Sequence, residues 1–299
     1  MNREERVTEL RRTKSRNWYL RISAIVVVVM VAWAWLTSNP LFGRLSAERR
    51  WRNFQNFVSE LVPNPVDKSG NWLDAIPWAW ELLSGDGFVA LMTTLGIATA
   101  AIILASTIVL PFMAMANRRF SRKDPFGLPG GQVSAPVAIL WKIIGPFVRF
   151  SFVICRAIPE YLLAFLLISL LGLQVWPLVL ALAIHNFGIL GRLWGEVVEN
   201  ADAAAAKQRL ASGTSRFNVF GTTVFPDVFN RFLIYFFYRW ETCLKDATVL
   251  GMLGLLTLGK LIALAKGFHW DRMFFYIMLG ASVIIVGDMF SSWMRSKLR

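Results

Sequence analysis

Long apolar runs alternate with short polar stretches along nearly the whole chain. Ile22–Leu36 is the first run, extended at one end by Trp18 and Tyr19. Phe88–Ala116 carries no charged residue over 29 positions, more than the roughly 20 residues that a membrane-crossing helix needs. Tyr161–Leu173, Trp176–Trp194, Phe232–Gly251 and Met273–Trp293 continue the series. Val137–Cys155 is apolar but interrupted by Lys142, Gly145–Pro146 and Arg149. It predicts a helix near the inner surface, broken at Pro159, that leads into the crossing at Tyr161–Leu173. Met252–Trp270 predicts an irregular return at the outer side. The pattern is that of an all-α polytopic membrane protein with six transmembrane helices. Residues 1–87 comprise a tail, the first span and an outer amphipathic segment; residues 88–299 form a core of five spans.

Between the first two spans, Trp51, Phe54, Phe57, Val58 and Leu61 recur at three- and four-residue steps, the period of a helix with one apolar face. Trp72, Trp78 and Trp80 follow Pro63 and Pro65. Two readings fit these aromatics: anchoring at the membrane interface, or contact with an external protein.

Composition agrees with the pattern. The chain is 56% hydrophobic, with 13 Trp and 23 Phe, which places it among membrane proteins. Its net charge of +13 raises nucleic acid as a partner, but the apolar fraction argues against that. The basic residues instead cluster beside apolar runs and report topology. Residues 1–21 hold seven basic and three acidic residues. Arg118, Arg119, Arg122 and Lys123 follow the second span, and Arg295, Lys297 and Arg299 follow the last. Residues 37–87 carry five basic and six acidic residues, with no positive excess. Six spans with both termini cytoplasmic satisfy every cluster. The first apolar run lacks a small-residue cleavage site and is not a removable signal. Cys155 and Cys243 both fall in apolar runs and read as small buried hydrophobes.

One polar, Ala-rich stretch, residues 196–226, is lodged between two spans. Ala203–Ala206 favour helix, and Lys207–Leu210 continue it. Ser212–Gly213 ends it, and Thr214 or Ser215 can cap a second element. Pro226 follows Gly213 after thirteen positions. A short helix, a Gly break and a second element on one face suit docking of a partner.

Gly213 and Pro226 at this spacing resemble the cytoplasmic coupling loop of ABC importer permeases, whose pattern is Glu-Ala-Ala, three residues, Gly, then Ile-x-Leu-Pro. Lys207–Gln208–Arg209 stand in place of Glu-Ala-Ala, and Thr223 and Phe225 in place of Ile and Leu. Four further stretches strengthen the likeness: Arg156–Glu160 (RAIPE), Ala181–His185 (ALAIH) with Gly188–Gly191 (GILG), Tyr238–Glu241 (YRWE) and Asp246–Gly251 (DATVLG). Together they are similar to permeases of the phosphonate/phosphite import family over residues 88–293. The resemblance implies a type I ABC importer fold and alternating access for phosphonate, phosphite or hypophosphite, in a bacterial inner membrane. It implies a cytoplasmic ABC ATPase dimer that carries ATP-Mg, a second permease copy as homodimer partner, and an extracytoplasmic substrate-binding protein. No cofactor is implied in this chain. The coupling residues would be Ala203, Ala204, Lys207, Gly213 and Pro226.

Charges inside a bilayer need a partner or a water-filled cavity. On a helix, Arg239 and Asp246 nearly eclipse, while Glu241 and Lys245 lie four apart on the opposite side and can pair. Helix-to-helix structure is one reading of this tetrad; a polar lining in which Arg239 and Lys245 meet a small oxyanion is the other. Arg156 and Glu160, four apart around Pro159, form either a local ion pair at a bend or, by resemblance, part of the central gate. His185 is either a satisfied core group or a cavity-facing one. No metal-ligand spacing surrounds it, and no nucleophile–base constellation is visible. Gly254–Lys260 fits the first seven positions of a phosphate-binding loop, but Leu261 replaces its Ser/Thr, and the preceding segment is not a strand. In the resembling family this region is Gly-rich; here Leu255, Leu256 and Leu258 stand instead. Two alternatives are an ABC permease for another small solute, and an ion-coupled transporter relaying protons through Glu160, Glu241 and Asp246. A non-transporting membrane scaffold is a third.

Overall fold

The computed structural model describes residues 18–38, 46–118, 135–202 and 204–298. The basic residues before Trp18, the Arg119–Lys123 cluster, the turn-rich 125–131 stretch and Ala203 lie outside them. The described residues are almost entirely helical. Contacts divide the chain into two units, Met1–Ser59 and Glu60–Arg299. Residues 60–87 therefore lie with the core, not with the first span as the division at Gly87 expects. Trp78 meets Phe275 edge-on at 5.6 Å, and the Asn64 amide donates to Asp271 at 3.3 Å.

The first unit holds α1 (Trp18–Ser38) and α2 (Ala47–Glu60). At 1.5 Å per residue, α1 is about 30 Å long, the depth of a hydrocarbon core. Its valines and isoleucines are exposed on every side, as a lipid-surrounded helix requires. Helix α2 is amphipathic, with Trp51 stacked on Phe54 at 5.7 Å.

The second unit begins with short helices α3 (Asn64–Ser69) and α4 (Ala75–Leu82). A π-helical turn, Leu83–Gly87, then opens into α5 (Phe88–Ala116). Helices α6 (Ala135–Ala157) and α7 (Glu160–Leu171) meet at 89°. Pro159 has no amide hydrogen for an α-turn and disfavours helix at Ile158. Twelve residues of α7 rise only about 18 Å, too short to cross a bilayer without the helix before the bend. Helix α8 (Val175–Glu199) is the hub, packed on α5, α6 and α7. Small residues allow that approach: Ala98, Ala101 and Ala105 of α5 and Ala181 of α8 are fully buried. A Cβ on Gly188 of α8 would lie 2.5 Å from the Arg156 nitrogen and 2.6 Å from the Phe152 carbonyl of α6.

The polar stretch folds as α9 (Ala204–Ala211) and α10 (Arg216–Val219). Gly213, at φ +83°, closes α9 with a paired C-terminal motif. The Thr214 amide donates to Arg209 O at 3.2 Å and the Gly213 amide to Leu210 O at 3.1 Å, a geometry that favours glycine. Ser215 caps α10 through the Asn218 amide at 3.3 Å. A π-helical turn, Phe220–Val224, joins α10 to α11 (Phe225–Leu250) without a break. Pro226 follows directly on this π-helical turn, in the first turn of α11. Helix α12 (Leu258–Ala265) starts at the cap of Thr257, and α13 (Trp270–Lys297) ends the chain. The Lys260 amide is held by the Thr257 hydroxyl at 3.4 Å, so the phosphate-loop look-alike is an N-capped helix start. Among the described residues, four helices are long and apolar enough to cross a membrane, and up to six crossings result if each bent pair counts as one.

Candidate functional site

Helix α11 carries the chain's densest intramembrane charge, and its packing splits that charge between two faces. One face meets α7 and α8. There Arg239 donates from Nε to Asn186 Oδ1 at 2.8 Å. Asn186 is fully buried, and its own amide nitrogen donates to Leu182 O at 2.8 Å. The amide is thus fixed in one orientation and holds the guanidinium in place. Among the described residues no carboxylate stands within 4.0 Å of Arg239, so its terminal nitrogens keep free donors. Asp246 lies within electrostatic reach of Arg239, Glu160, His185 and Lys245, but it forms no ion pair among the described residues.

The bend between α6 and α7 completes this face. A helix end leaves carbonyls without partners, and at membrane depth each needs one. His185 Nδ1 meets the Ile158 carbonyl at 3.0 Å; the carbonyl only accepts, so Nδ1 carries the proton. His185 Nε2 then faces Glu160 Oε2 at 3.7 Å. The expected Arg156–Glu160 ion pair is not formed. The bend turns Glu160 towards α8, while Arg156 lines a separate cavity with Arg149, Arg192 and Glu196.

The opposite face of α11 meets α13. Lys245 Nζ donates to Glu241 Oε1 at 2.8 Å, the spacing-predicted pair. Glu241 Oε2 lies 3.6 Å from Arg295, which lies 3.7 Å from Asp288. Arg295 also donates to Ser291 Oγ at 2.7 Å, and Ser291 donates to Phe237 O at 2.9 Å. These contacts fasten α13 to α11. The tetrad therefore does not neutralise itself: Glu241 draws on Arg295 of another helix, and Arg239 draws on a neutral amide.

Sequence reasoning read Arg295 only as a topology marker and passed over Asp288 and Asn186. Asp288 was detectable as a lone carboxylate in an otherwise apolar run, seven residues before Arg295. Asn186 gave no signal beyond its polarity.

At the other end of the unit, Lys207 and Ala204 are exposed on α9, while Ala206 is fully buried. Arg209 donates to Thr222 Oγ1 at 3.1 Å, tying α9 to the π-helical turn that starts α11. Gly213 and Pro226 flank this assembly.

With this geometry in hand, known proteins offer a comparison. A family model described as binding-protein-dependent transport system inner membrane component matches residues 127–299. Over 145 residues the chain is 26% identical to the phosphite transport system permease protein PtxC of Stutzerimonas stutzeri. That match covers 48% of this chain and 53% of PtxC. Over 100 residues it is 36% identical to the phosphate-import permease protein PhnE of Mycolicibacterium smegmatis, covering 33% of this chain and 19% of PhnE. The matched stretch is thus only about half of the first relative's length and a fifth of the second's. Among solved structures, a chain of the MetNI methionine ABC transporter, in an inward-facing form, superposes with a TM-score of 0.57. The superposition covers 75% of this chain and 99% of that one at 15% identity, a likeness of fold.

Proposed function

The chain belongs to the family of inner-membrane components of binding-protein-dependent transport systems, and from that membership we propose that it is the permease of an ATP-driven importer of a small phosphorus oxyanion. Phosphite, phosphonate and hypophosphite are the solutes in view, since similar proteins are named for phosphite and phosphate. The observation that carries the reading is Arg239: a guanidinium held by a buried amide, with donors left unpaired and two carboxylates nearby but not bound. A cation so placed attracts an oxyanion, while Glu160 and Asp246 weaken the field enough for release. Passage requires both. Glu241 and Lys245 leave the proposed path, because their charges join α11 to α13. His185 stays as the group that holds the bend and faces Glu160, which acts on Asp246.

Two cytoplasmic ATPases, with ATP-Mg, supply the energy; this chain transports and does not hydrolyse. They close on the exposed face of α9 around Ala204 and Lys207, next to Ala203. Because α9 is tied to the turn that starts α11, a push there is delivered to the helix that bears Arg239 and Asp246. A second copy of the chain faces the first across the path, an external binding protein delivers solute, and both termini lie in the cytoplasm.

Purification of the chain with its ATPase, reconstitution in lipid, and ATP hydrolysis with and without phosphite-loaded binding protein test the proposal. Stimulation by the loaded protein is expected, together with phosphite uptake that follows ATP and ignores an uncoupler. Gly213→Pro, which destroys the φ +83° turn, is expected to insert normally and abolish stimulation. Uptake that collapses with an uncoupler and survives ATP depletion overturns the reading.

A further inference from the structure

A cavity of about 380 Å³ lies at the α9 end of the second unit, between the end of α5, the middle of α6 and the last turns of α8. It is separate from the Arg239 face. Four arginines line it, Arg118, Arg149, Arg156 and Arg192, against two carboxylates, Glu196 and Glu199. The two carboxylates offset only half of this charge. Glu196 is taken by Arg192 at 2.8 Å, and Glu199 accepts the Arg118 backbone amide at 2.9 Å. Arg149 donates to the Ala116 carbonyl at 3.0 Å. Among the described residues, the side chains of Arg118 and Arg156 have no carboxylate within ion-pair distance.

Neighbouring guanidinium groups repel one another, and holding them around one hollow is costly unless an anion fills it. The hollow is built rather than incidental. Gly188 and Gly191 let α6 lie directly on α8, and that contact sets Arg156 and Arg149 at its wall. Guanidinium forks match the oxygens of a phosphate group, two at a time. Val153 also lines the cavity, yet it is half-exposed and continues the outward apolar stripe of Phe147 and Phe150 on α6. The hollow therefore touches both the polar end of the bundle and a membrane-facing surface. Basic pockets between helices at the cytoplasmic side hold anionic headgroups for this reason.

We propose that this four-arginine cavity between α5, α6 and α8 binds a phosphate-type oxyanion, presented either as the headgroup of an inner-leaflet phospholipid or as a free ion. The proposal does not rest on which solute the chain carries.

The test uses the intact transporter complex in nanodiscs of phosphatidylethanolamine with and without phosphatidylglycerol. Native mass spectrometry counts retained phosphatidylglycerol, and equilibrium dialysis with labelled inorganic phosphate measures free-ion binding. At least one saturable site per chain is expected. Arg118→Gln and Arg156→Gln should each weaken it at least fivefold, and Lys142→Gln, an exposed cation outside the cavity, should leave it unchanged. Retained phosphatidylglycerol that inorganic phosphate does not displace identifies the headgroup as occupant; phosphate binding identifies the free ion. In the unmutated complex, phosphatidylglycerol retained no better than phosphatidylethanolamine, with no phosphate bound at millimolar concentration, overturns the proposal without reference to any variant. Binding unchanged in both arginine variants overturns it as well.

Discussion

The two faces of α11 use the same residue types for opposite ends. Towards α13, Glu241 touches Lys245 and Arg295, and Arg295 also reaches Asp288 and Ser291. Every charge there is answered by another charge or a hydroxyl, and two helices are joined. Towards α7 and α8, among the described residues, Arg239 is answered by a neutral amide alone, and Asp246 by no cation within ion-pair distance. The difference teaches what distinguishes a fastener from a site inside a membrane. Both faces satisfy enough hydrogen bonds to exist, but only one leaves charge uncommitted. Residue type and helical spacing identify neither; the partner on the neighbouring helix does.

The largest effect that separates the faces belongs to Glu241. Glu241→Ala removes the partner of Lys245 and leaves Arg295 with only Asp288 at 3.7 Å and the Ser291 hydroxyl. Breaking a buried pair by deleting one member costs about 3–5 kcal/mol, and the exposed Lys245 end together with Asp288 beside Arg295 lowers this case to about 2 kcal/mol. Thermal unfolding of the detergent-solubilised protein should show it as a large drop in midpoint, and a drop worth under about 1 kcal/mol would erase the distinction. Arg239→Gln comes next and should do the reverse. Glutamine can still donate to Asn186, so stability should hold, while phosphite uptake falls at least tenfold, about 1.4 kcal/mol of transport barrier. A destabilised Arg239→Gln protein with normal specific uptake would make both faces fasteners. Asp246→Asn is smaller. It removes a like charge near Glu160, so oxyanion should bind tighter and leave more slowly. A KM for phosphite uptake lowered several-fold, with a reduced maximal rate, is the expected split; a raised KM contradicts the assignment.

Much of this was legible without coordinates. The charge-free Phe88–Ala116 run, the break at Pro159 and the stop at Gly213 each follow from local chemistry, and each stands where expected. The Glu241–Lys245 pair was legible because both members lie on one helix, one turn apart. What stayed hidden depends on contacts between helices. Arg156 and Glu160 share the same four-residue spacing, yet the 89° bend between them points them to different neighbours. Asn186 and Ser291 are ordinary polar residues in sequence; they matter because Arg239 and Arg295 arrive from elsewhere in the chain. The cavity arginines come from α6, α8 and the turn that follows α5, and no short window of sequence contains them all.

Lys245 gives the smallest effect and the sharpest discrimination. Both Lys245 and Arg239 are α11 cations, six residues apart, that sequence reasoning gives to the oxyanion. The side chain of Lys245 is 49% exposed and bound to Glu241 at 2.8 Å. An exposed i, i+4 pair contributes at most about 1 kcal/mol, and Glu241 retains Arg295 when the lysine is neutralised. Lys245→Gln should therefore shift the melting midpoint only slightly and leave phosphite uptake within about twofold of the unmutated protein, well short of the tenfold loss from Arg239→Gln. If the two variants lose uptake equally, both cations meet the solute. The path then runs along both sides of α11, and the fastener on its α13 face has to open during transport. If only Arg239→Gln loses it, the solute passes on the α7–α8 side, and the charge on the α13 side acts in holding the helix that the solute passes.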